Sequence, residues 1–479
     1  MSVVGSAQGG ARLLRFLRHD LPQALRAFLT GRGDGNVTKR IAGAAFLIRV
    51  ASAAILYLLQ IYLARQMGRF EFGVYVYVWT WVGFLAMLAP LGHSNSAQCL
   101  IPQFLASDDR SRLRGFLIGS RWLCFALGTA SGAVVAAVMV VFGDDVPAYY
   151  WVPFMIGSLT VPISTVGIMQ DGIARSFDWI DLALLPSFIL HPLIVLAAMG
   201  VMHLSGFAPT AQAVLVVAGA AMWAVVLLQL VVLDHRLKKV VEPGSRHYEP
   251  RAWLGTALPI FMIDGFYLML TYVDVLVLQI FVGPADIAVY YTALKTLALV
   301  NFVYFAVTAA SAHRISRYHF AGERANLEAF IAEMIRWTFW PSLALATGLL
   351  IVGKPLLGLF GAGFADGYPL MVVLAVGLLA RSAVGPAERA LSMIGQQRIC
   401  AMIYATAFAT NLMLCFLLIP RFRLMGAAAA TAAAILVEST LLFVVTKRRL
   451  GLHFFIYRGL ETPPPSASAP DAPPQAAPP

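Results

Sequence analysis

Apolar segments long enough to cross a lipid bilayer follow one another along most of this 479-residue chain. A spanning helix needs about 20 apolar residues, and the sequence contains about twelve such runs. The runs are long and unbroken, whereas the strands of a membrane β-barrel are short and alternate apolar with polar residues. Only 12% of the residues are charged, about half the share found in soluble proteins. The sequence therefore predicts an all-α polytopic membrane protein.

Basic residues are distributed unevenly between the two sides of the predicted membrane. If the N-terminus is cytoplasmic, about 25 of the 35 Lys and Arg residues fall in cytoplasmic segments, which is the bias that sets membrane orientation. We therefore expect both termini in the cytoplasm. The net charge of +11 is then explained by topology, and no nucleic-acid partner is expected.

The two halves of the chain share a motif. MGRFEFGVY in the first half matches VGPADIAVY in the second. Three residues correspond at one offset of about 215 residues: Gly68 with Gly283, Glu71 with Asp286, and Tyr75 with Tyr290. The dipeptide Arg-Trp at 121–122 recurs at 336–337 with the same offset. Internal repeats of this kind are typical of secondary transporters.

A basic linker separates the two halves, so the chain divides into five segments. We predict a basic amphipathic cytoplasmic segment at 1–40, an N-terminal six-helix lobe at 41–233, the linker at 234–252, a C-terminal six-helix lobe at 253–446, and a basic stretch with a disordered Pro/Ala-rich tail at 447–479. Because six is even, both lobes begin on the same side of the membrane. They are therefore parallel repeats about an axis along the membrane normal, with a central cavity between them.

We single out five charged residues in the interior of the predicted spans: Arg49, Asp264, Asp274, Lys295 and Arg381. A charge at the bilayer centre costs about 2.5–3.5 kcal/mol on insertion scales, so each needs a compensating role. Arg49 and Asp264 occupy equivalent positions in the two repeats, which makes a pair across the cavity geometrically sensible. Asp274 and Lys295 could meet on adjacent antiparallel helices.

Two interpretations of these charges remain open. In the first they form structural ion pairs that hold helices together. In the second Arg49, Lys295 and Arg381 line a water-filled, net cationic cavity that attracts an anionic head group. Asp264 or Asp274 could then bind and release a proton or a sodium ion during a transport cycle. We find no cofactor motif, and the four cysteines lack the spacing of a metal site.

The segment LARQMGRFEFGVYVYVWTWVGFLAMLAPLG resembles the opening of the oligosaccharide flippases of the polysaccharide transporter family. YVDVLVLQIFVGPADIAVYYTALK resembles the second-half counterpart, including the aspartate at Asp274. The resemblance covers roughly residues 37–450. It implies the multidrug/oligosaccharidyl-lipid/polysaccharide exporter fold, in which two six-helix lobes form a V around a central cavity.

The same resemblance implies a function. Such a protein moves a polyprenyl-pyrophosphate-linked oligosaccharide from the inner to the outer leaflet of a bacterial inner membrane, for exopolysaccharide, capsule or O-antigen (lipopolysaccharide) synthesis. Its expected partners are membrane lipids, the glycosyltransferases that make the substrate, and the polymerase or ligase that uses it. A monomer is expected.

Three alternatives remain. A lipid II flippase of the same superfamily has two extra spans, for which the sequence has no room. A drug/cation antiporter would favour an acidic cavity over the cationic one predicted here. A membrane-bound glycosyltransferase or ligase needs large outer loops or an acidic metal-binding motif, whereas the outer loops here are short and no Walker motif or nucleophile elbow is present. A transporter, not an enzyme, is therefore expected.

Overall fold

The computed structural model describes residues 34–456, apart from residues 305, 309–317, 319–320, 322 and 394. Within these residues the chain is helical, with short 3₁₀ and π turns and no β-strand. Most of the predicted amphipathic N-terminal segment and the whole Pro/Ala-rich tail lie outside the described residues.

The first lobe contains six membrane-length helices. They are α1 (34–67) and α2 (69–88), which share the continuous helical stretch Asp34–Leu88, then α3 (Arg110–Val141), α4 (Ala148–Ser176), α5 (Ile180–Leu204) and α6 (Ala211–Val240). A shorter helix, His93–Ala106, follows α2. It was not predicted, because its polar sequence HSNSAQCLIPQFLA does not have the length or the apolar character of a span.

The second lobe repeats this arrangement. Its helices are α7 (Pro250–Phe281), α8 (Pro284–Thr308, apart from residue 305), α9 (Arg324–Ile351), α10 (Phe364–Val384), and α11 (397–422) and α12 (424–445), which share the stretch Gln397–Val445. The prediction of a twelve-helix protein made of two six-helix lobes is confirmed.

Single residues separate α1 from α2 and α11 from α12. A straight helix of 55 residues, the length of Asp34–Leu88, would be about 80 Å long at 1.5 Å per residue, far beyond the bilayer core of about 30 Å. The chain therefore changes direction at Gly68, whose φ of 75° is open to glycine without steric cost. At the second break Arg423 takes a φ of 51°, which is uncommon for a side-chain-bearing residue.

The acidic residue of the repeated motif makes an equivalent contact in both lobes. Glu71, near the start of α2, accepts a hydrogen bond of 2.7 Å from the backbone N–H of Ala211, the first residue of α6. Asp286, near the start of α8, forms an ion pair of 2.8 Å with Arg423, directly before α12. In each lobe, an acid on the second helix thus holds the beginning of the sixth helix.

The lobes are packed closely at the end of the molecule that holds Gly68 and Gly283, which we call the Gly68 end. Gly73 of α2 lies so near the backbone of Pro284 that an added Cβ would come within 1.9 Å of the Pro284 carbonyl oxygen. Phe72 meets Phe364 edge to face, with 6.1 Å between ring centroids. The opposite end, which carries the linker between α6 and α7, is called the linker end.

Candidate functional site

Two adjoining cavities lie between the lobes. The upper cavity has a volume of about 590 Å³ and the lower one about 470 Å³. They share five lining residues: Trp79, Gly83, Ser187, Phe188 and Met222. The lower cavity extends to Arg175 in the last turn of α4, toward the linker end. Together they form one path from the middle of the molecule toward the linker end, while the Gly68 end is closed.

The upper cavity is lined mainly by aromatic and uncharged polar side chains. Among the described residues that line it, Lys295 is the only one with a full charge. The aromatic and uncharged polar members of the lining are Tyr57, Gln60, Tyr75, Trp79, Thr80, Ser187, Phe188, His191, Thr271, Tyr272, Tyr291, Asn301 and Phe302. Apolar and aromatic walls with a few well-placed polar groups are typical of sites that bind organic ligands.

Side chains from both lobes meet at the wall of this cavity. Tyr57 of α1 and Thr296 of α8 share a hydrogen bond of 2.9 Å. Gln60 of α1 donates a hydrogen bond of 3.3 Å to the hydroxyl of Tyr291. A movement of the lobes would therefore change the shape of the cavity directly.

Lys295 of α8 lines the upper cavity, and the 3₁₀ turn Ala298–Val300 follows it along the same helix. Its Nζ lies 5.1 Å from the centroid of the Tyr291 ring, a distance typical of a cation–π contact. Among the described residues Lys295 forms no salt bridge, so the proposed pair with Asp274 is not made. The ammonium therefore remains able to bind an anion.

Asp274 faces the interior of the second lobe. Its side chain is 1% exposed. One carboxylate oxygen accepts hydrogen bonds from Tyr290 of α8 at 2.6 Å and Thr431 of α12 at 3.1 Å. Asn411 of α11, also fully buried, has an amide nitrogen without a hydrogen-bond partner among the described residues. Asp274 thus belongs to a polar cluster inside the lobe, away from the lining of the two cavities.

The lower cavity contains both signs of charge. Asp264 is exposed to it and accepts a hydrogen bond of 2.5 Å from Asn95, which joins α7 to the helix His93–Ala106 of the first lobe. Asp171 of α4 accepts a hydrogen bond of 2.8 Å from Gln229, and Arg175 lies one turn further along the same helix. Asp264 is therefore at the lobe interface, but its partner is Asn95 and not Arg49.

Arg49 and Arg381 do not line either cavity. Arg49, half-buried in α1, is close enough to Arg175 for their charges to interact. Arg381 of α10 forms an ion pair of 3.5 Å with the fully buried Glu438 of α12. Of the three cations predicted for a cationic cavity, only Lys295 lines it. Counting both cavities, Lys295 and Arg175 are balanced by Asp171 and Asp264, and the lining of the upper cavity alone carries one positive charge.

The pair Arg381–Glu438 is surrounded by aromatic rings. The guanidinium carbon lies 5.4 Å from the centroid of Tyr267 and 5.3 Å from that of Tyr304. This arrangement supports the interpretation of Arg381 as part of a structural ion pair. Glu438 was not among the charged residues singled out from the sequence, although it lies in the last long apolar run of the chain.

Asp171 and Arg175 were missed for a different reason. The fourth apolar run of the sequence was predicted to end before both residues. In the structure α4 continues to Ser176 and carries both side chains along the lower cavity. The dipeptide Asp171-Gly172 is a common turn signal, yet the helix continues through it.

No family model matches the sequence. A curated relative is the "Probable low-salt glycan biosynthesis flippase Agl15" of Haloferax volcanii, which is 24% identical over 180 residues. This match spans 37% of the present chain and 38% of the relative's length.

Solved structures match over far more of the chain. An inward-facing multidrug resistance MATE family transporter of the MOP superfamily has a TM-score of 0.66 at 14% identity, over 85% of this chain and 98% of that one. The lipid II flippase MurJ in its inward closed conformation has a TM-score of 0.69 at 14% identity, over 84% and 87%. The chain has the fold of these solved transporter and flippase structures, as the sequence resemblance implied. The proteins that it resembles are flippases and transporters, not enzymes.

Proposed function

We propose that this protein is a flippase that carries a polyprenyl-pyrophosphate-linked oligosaccharide across the bacterial inner membrane for exopolysaccharide, capsule or O-antigen synthesis. The observation that carries the proposal is the upper cavity, in which one lysine stands among aromatic rings and uncharged polar groups. The glycan flippase among the relatives supports the same substrate class.

The chemistry of the upper cavity suits each part of such a head group. The ammonium of Lys295 attracts the pyrophosphate as a point charge. Tyrosine and tryptophan rings such as Trp79 and Tyr272 offer flat, rigid faces for sugar rings. Gln60 and Asn301 can donate and accept hydrogen bonds with sugar hydroxyls. The polyprenyl chain stays in the lipid, which spares the transporter the cost of enclosing it.

The closed Gly68 end and the path toward the linker end define one half of an alternating-access cycle. In this state the head group enters from the linker end, which the distribution of basic residues assigns to the cytoplasm. Separation of the lobes at the Gly68 end, with closure at the linker end, then exposes the cavity to the other side. Asn95 and Asp264 already touch across the lower cavity and mark where that closure begins.

We assign the coupling ion to the cluster around Asp274. A buried carboxylate with two hydroxyl neighbours provides the hard oxygen ligands that a sodium ion prefers, and it can equally accept a proton. The cluster connects α7, α8 and α12, so a change in its charge affects the helices that form the second-lobe wall of the cavity. Asp264, exposed in the lower cavity, is assigned to the movement of the lobes instead.

Flipping can be measured directly in proteoliposomes. A fluorescent polyprenyl-pyrophosphate oligosaccharide is placed in both leaflets, and a membrane-impermeant quencher reports the fraction that becomes accessible with time. We expect protein-dependent exchange between leaflets, and none in protein-free liposomes. Equal rates with and without protein, for glycans of several compositions, would contradict the proposal.

A second candidate function is export of cationic compounds. Asp171 and Asp264 in the lower cavity, together with the likeness to a multidrug transporter, favour it. The same proteoliposomes loaded with a fluorescent cationic dye decide between the two. Dye transport without glycan-lipid exchange would support the antiporter, and the reverse result supports the flippase.

A further inference from the structure

A third cavity opens at the linker end of the first lobe, remote from the path between the lobes. It has a volume of about 700 Å³ and lies between α3, α6 and the beginning of the linker. Its lining residues are Arg114, Leu117, Ile118 and Arg121 of α3, Asp234, Leu237 and Lys238 of α6, and Val241, Glu242, Pro243, Gly244 and Arg246. On both helices these residues recur at intervals of three and four, so each helix presents one continuous face to the cavity.

We call this cavity the basic groove, because four basic residues line it. Two of the four already bind other groups of the protein. Arg114 donates hydrogen bonds to the backbone carbonyls of Ser245 at 2.8 Å and Glu242 at 3.0 Å, which fixes the linker over the groove. Arg121 forms an ion pair of 2.7 Å with Asp234.

The other two, Lys238 and Arg246, form no ion pair among the described residues. Both are exposed, and with the acids Asp234 and Glu242 counted, the lining retains a net positive charge. An anion is therefore the complementary ligand.

The surface beside the groove is apolar and faces outward. Trp122 of α3 is 68% exposed, one residue beyond the last groove residue of that helix. On α6, Leu227 and Val231 are 45% and 67% exposed, and they continue the face that carries Asp234 and Lys238. A ligand in the groove thus meets charge at the linker end and hydrocarbon-compatible surface along the helices.

We propose that the basic groove binds the phosphate head group of an anionic phospholipid, with the acyl chains lying along the exposed apolar faces of α3 and α6. Basic pockets between membrane helices are suited to such head groups, and arginine matches the geometry of a phosphate. Lys238 and Arg246 bind the phosphate, while Arg114 and Arg121 shape the groove. The bound lipid touches the linker that joins the two lobes.

Binding of dioleoyl phosphatidylglycerol to the delipidated full-length protein in detergent, counted by native mass spectrometry, tests the proposal. A micelle without other lipid has no surface potential, so the measurement reports direct contact. We expect Lys238→Gln with Arg246→Gln to weaken the first binding event by about tenfold or more, because charge-assisted hydrogen bonds are lost. Phosphatidylcholine should bind the wild type much more weakly.

The matched control removes the same charge elsewhere. The control variant is Lys239→Gln with Arg336→Gln. Lys239 is next to Lys238 but does not line the groove. Arg336 is the repeat counterpart of Arg121 and is exposed. This variant should bind phosphatidylglycerol like the wild type. Equal loss in both double variants, or equal binding of both lipids, would overturn the proposal.

A competition experiment distinguishes a site for a phospholipid head group from a site for a free anion. If inorganic phosphate displaces the lipid at comparable concentrations, the groove is a site for free phosphate and the lipid assignment fails. The double variant Lys238→Gln with Arg246→Gln could lower the melting temperature. In that case lipid binding is compared between the single variant Arg246→Gln, which lies in the exposed linker, and its control Arg336→Gln.

Discussion

The hydroxyl of Tyr290 donates a hydrogen bond of 2.6 Å to the carboxylate of Asp274 across the turn that joins α7 to α8. Thr431 reaches the same oxygen from α12. One buried carboxylate therefore connects three helices of the second lobe, which makes it a structural element as well as the group that we propose binds the coupling ion.

Asp274→Asn separates these two roles. The amide has nearly the same size and its oxygen still accepts from Tyr290, so we expect a melting temperature close to that of the wild type. Flipping should lose its response to an imposed proton or sodium gradient, because the ionisable group is gone. Asp286→Asn, which affects an ion pair at the Gly68 end, should keep the response. A gradient response that survives Asp274→Asn would place the coupling ion elsewhere.

Lys295→Gln tests the anion site in the upper cavity. A charge-assisted hydrogen bond contributes about 1.5–3 kcal/mol, so the flipping rate at low substrate concentration should fall by about tenfold or more. Lys354→Gln is the matched control, since Lys354 also lies over a tyrosine ring, at 5.4 Å from Tyr368, without lining either cavity between the lobes. Similar rates in the two variants would show that Lys295 does not bind the head group.

Glu438→Ala leaves the Arg381 guanidinium without its buried partner. Breaking a buried pair costs about 3–5 kcal/mol, so we expect a clear drop in the melting temperature in detergent. The double replacement Arg381→Met with Glu438→Leu removes both charges and should recover much of the loss. Arg423→Ala breaks the more exposed pair with Asp286 and should cost about 1 kcal/mol or less. Equal effects of the two single variants would argue against a structural role for Arg381.

Gly73→Ala should hold the Gly68 end apart, because the added Cβ would overlap the carbonyl of Pro284. In a variant without its native cysteines, Gln60→Cys in the upper cavity reports this opening through its rate of reaction with a membrane-impermeant maleimide added at the Gly68 end. We expect faster labelling in Gly73→Ala. Gly283→Ala is the control, since no atom lies within 4 Å of its added Cβ, and it should label at the original rate.

The helices and their pairing into lobes could be predicted from the sequence, because apolar run length and the repeated Gly68 and Gly283 motifs depend on local physics. The direction in which each side chain faces could not be predicted. The equivalence of Arg49 and Asp264 in the repeats fixes their depth, but the rotation of each helix about its axis decides which side chains meet. That rotation turned Asp264 toward Asn95 and Asp274 toward Tyr290 and Thr431.

The charged residues expected in the cavity show the same limit of prediction from sequence. Lys295 lines the upper cavity, whereas the Asp274 carboxylate is bonded to Tyr290 and Thr431 and makes no salt bridge with it. Arg381 was expected in the cavity because its fully buried partner Glu438 was not considered. A single charge in a span indicates that a partner or a water path exists. The sequence does not show whether that charge has a partner or faces a water path.

The equivalent contacts of Glu71 and Asp286 have a mechanical consequence. Each holds the beginning of the sixth helix to the second helix of its own lobe, so these two helices are expected to move together at the Gly68 end. Compliance is then concentrated in the contacts between the lobes, such as Gly73 against Pro284 and Tyr57 with Thr296. The work of reorienting the transporter falls on this narrow seam, and its strength sets how readily the two lobes swing.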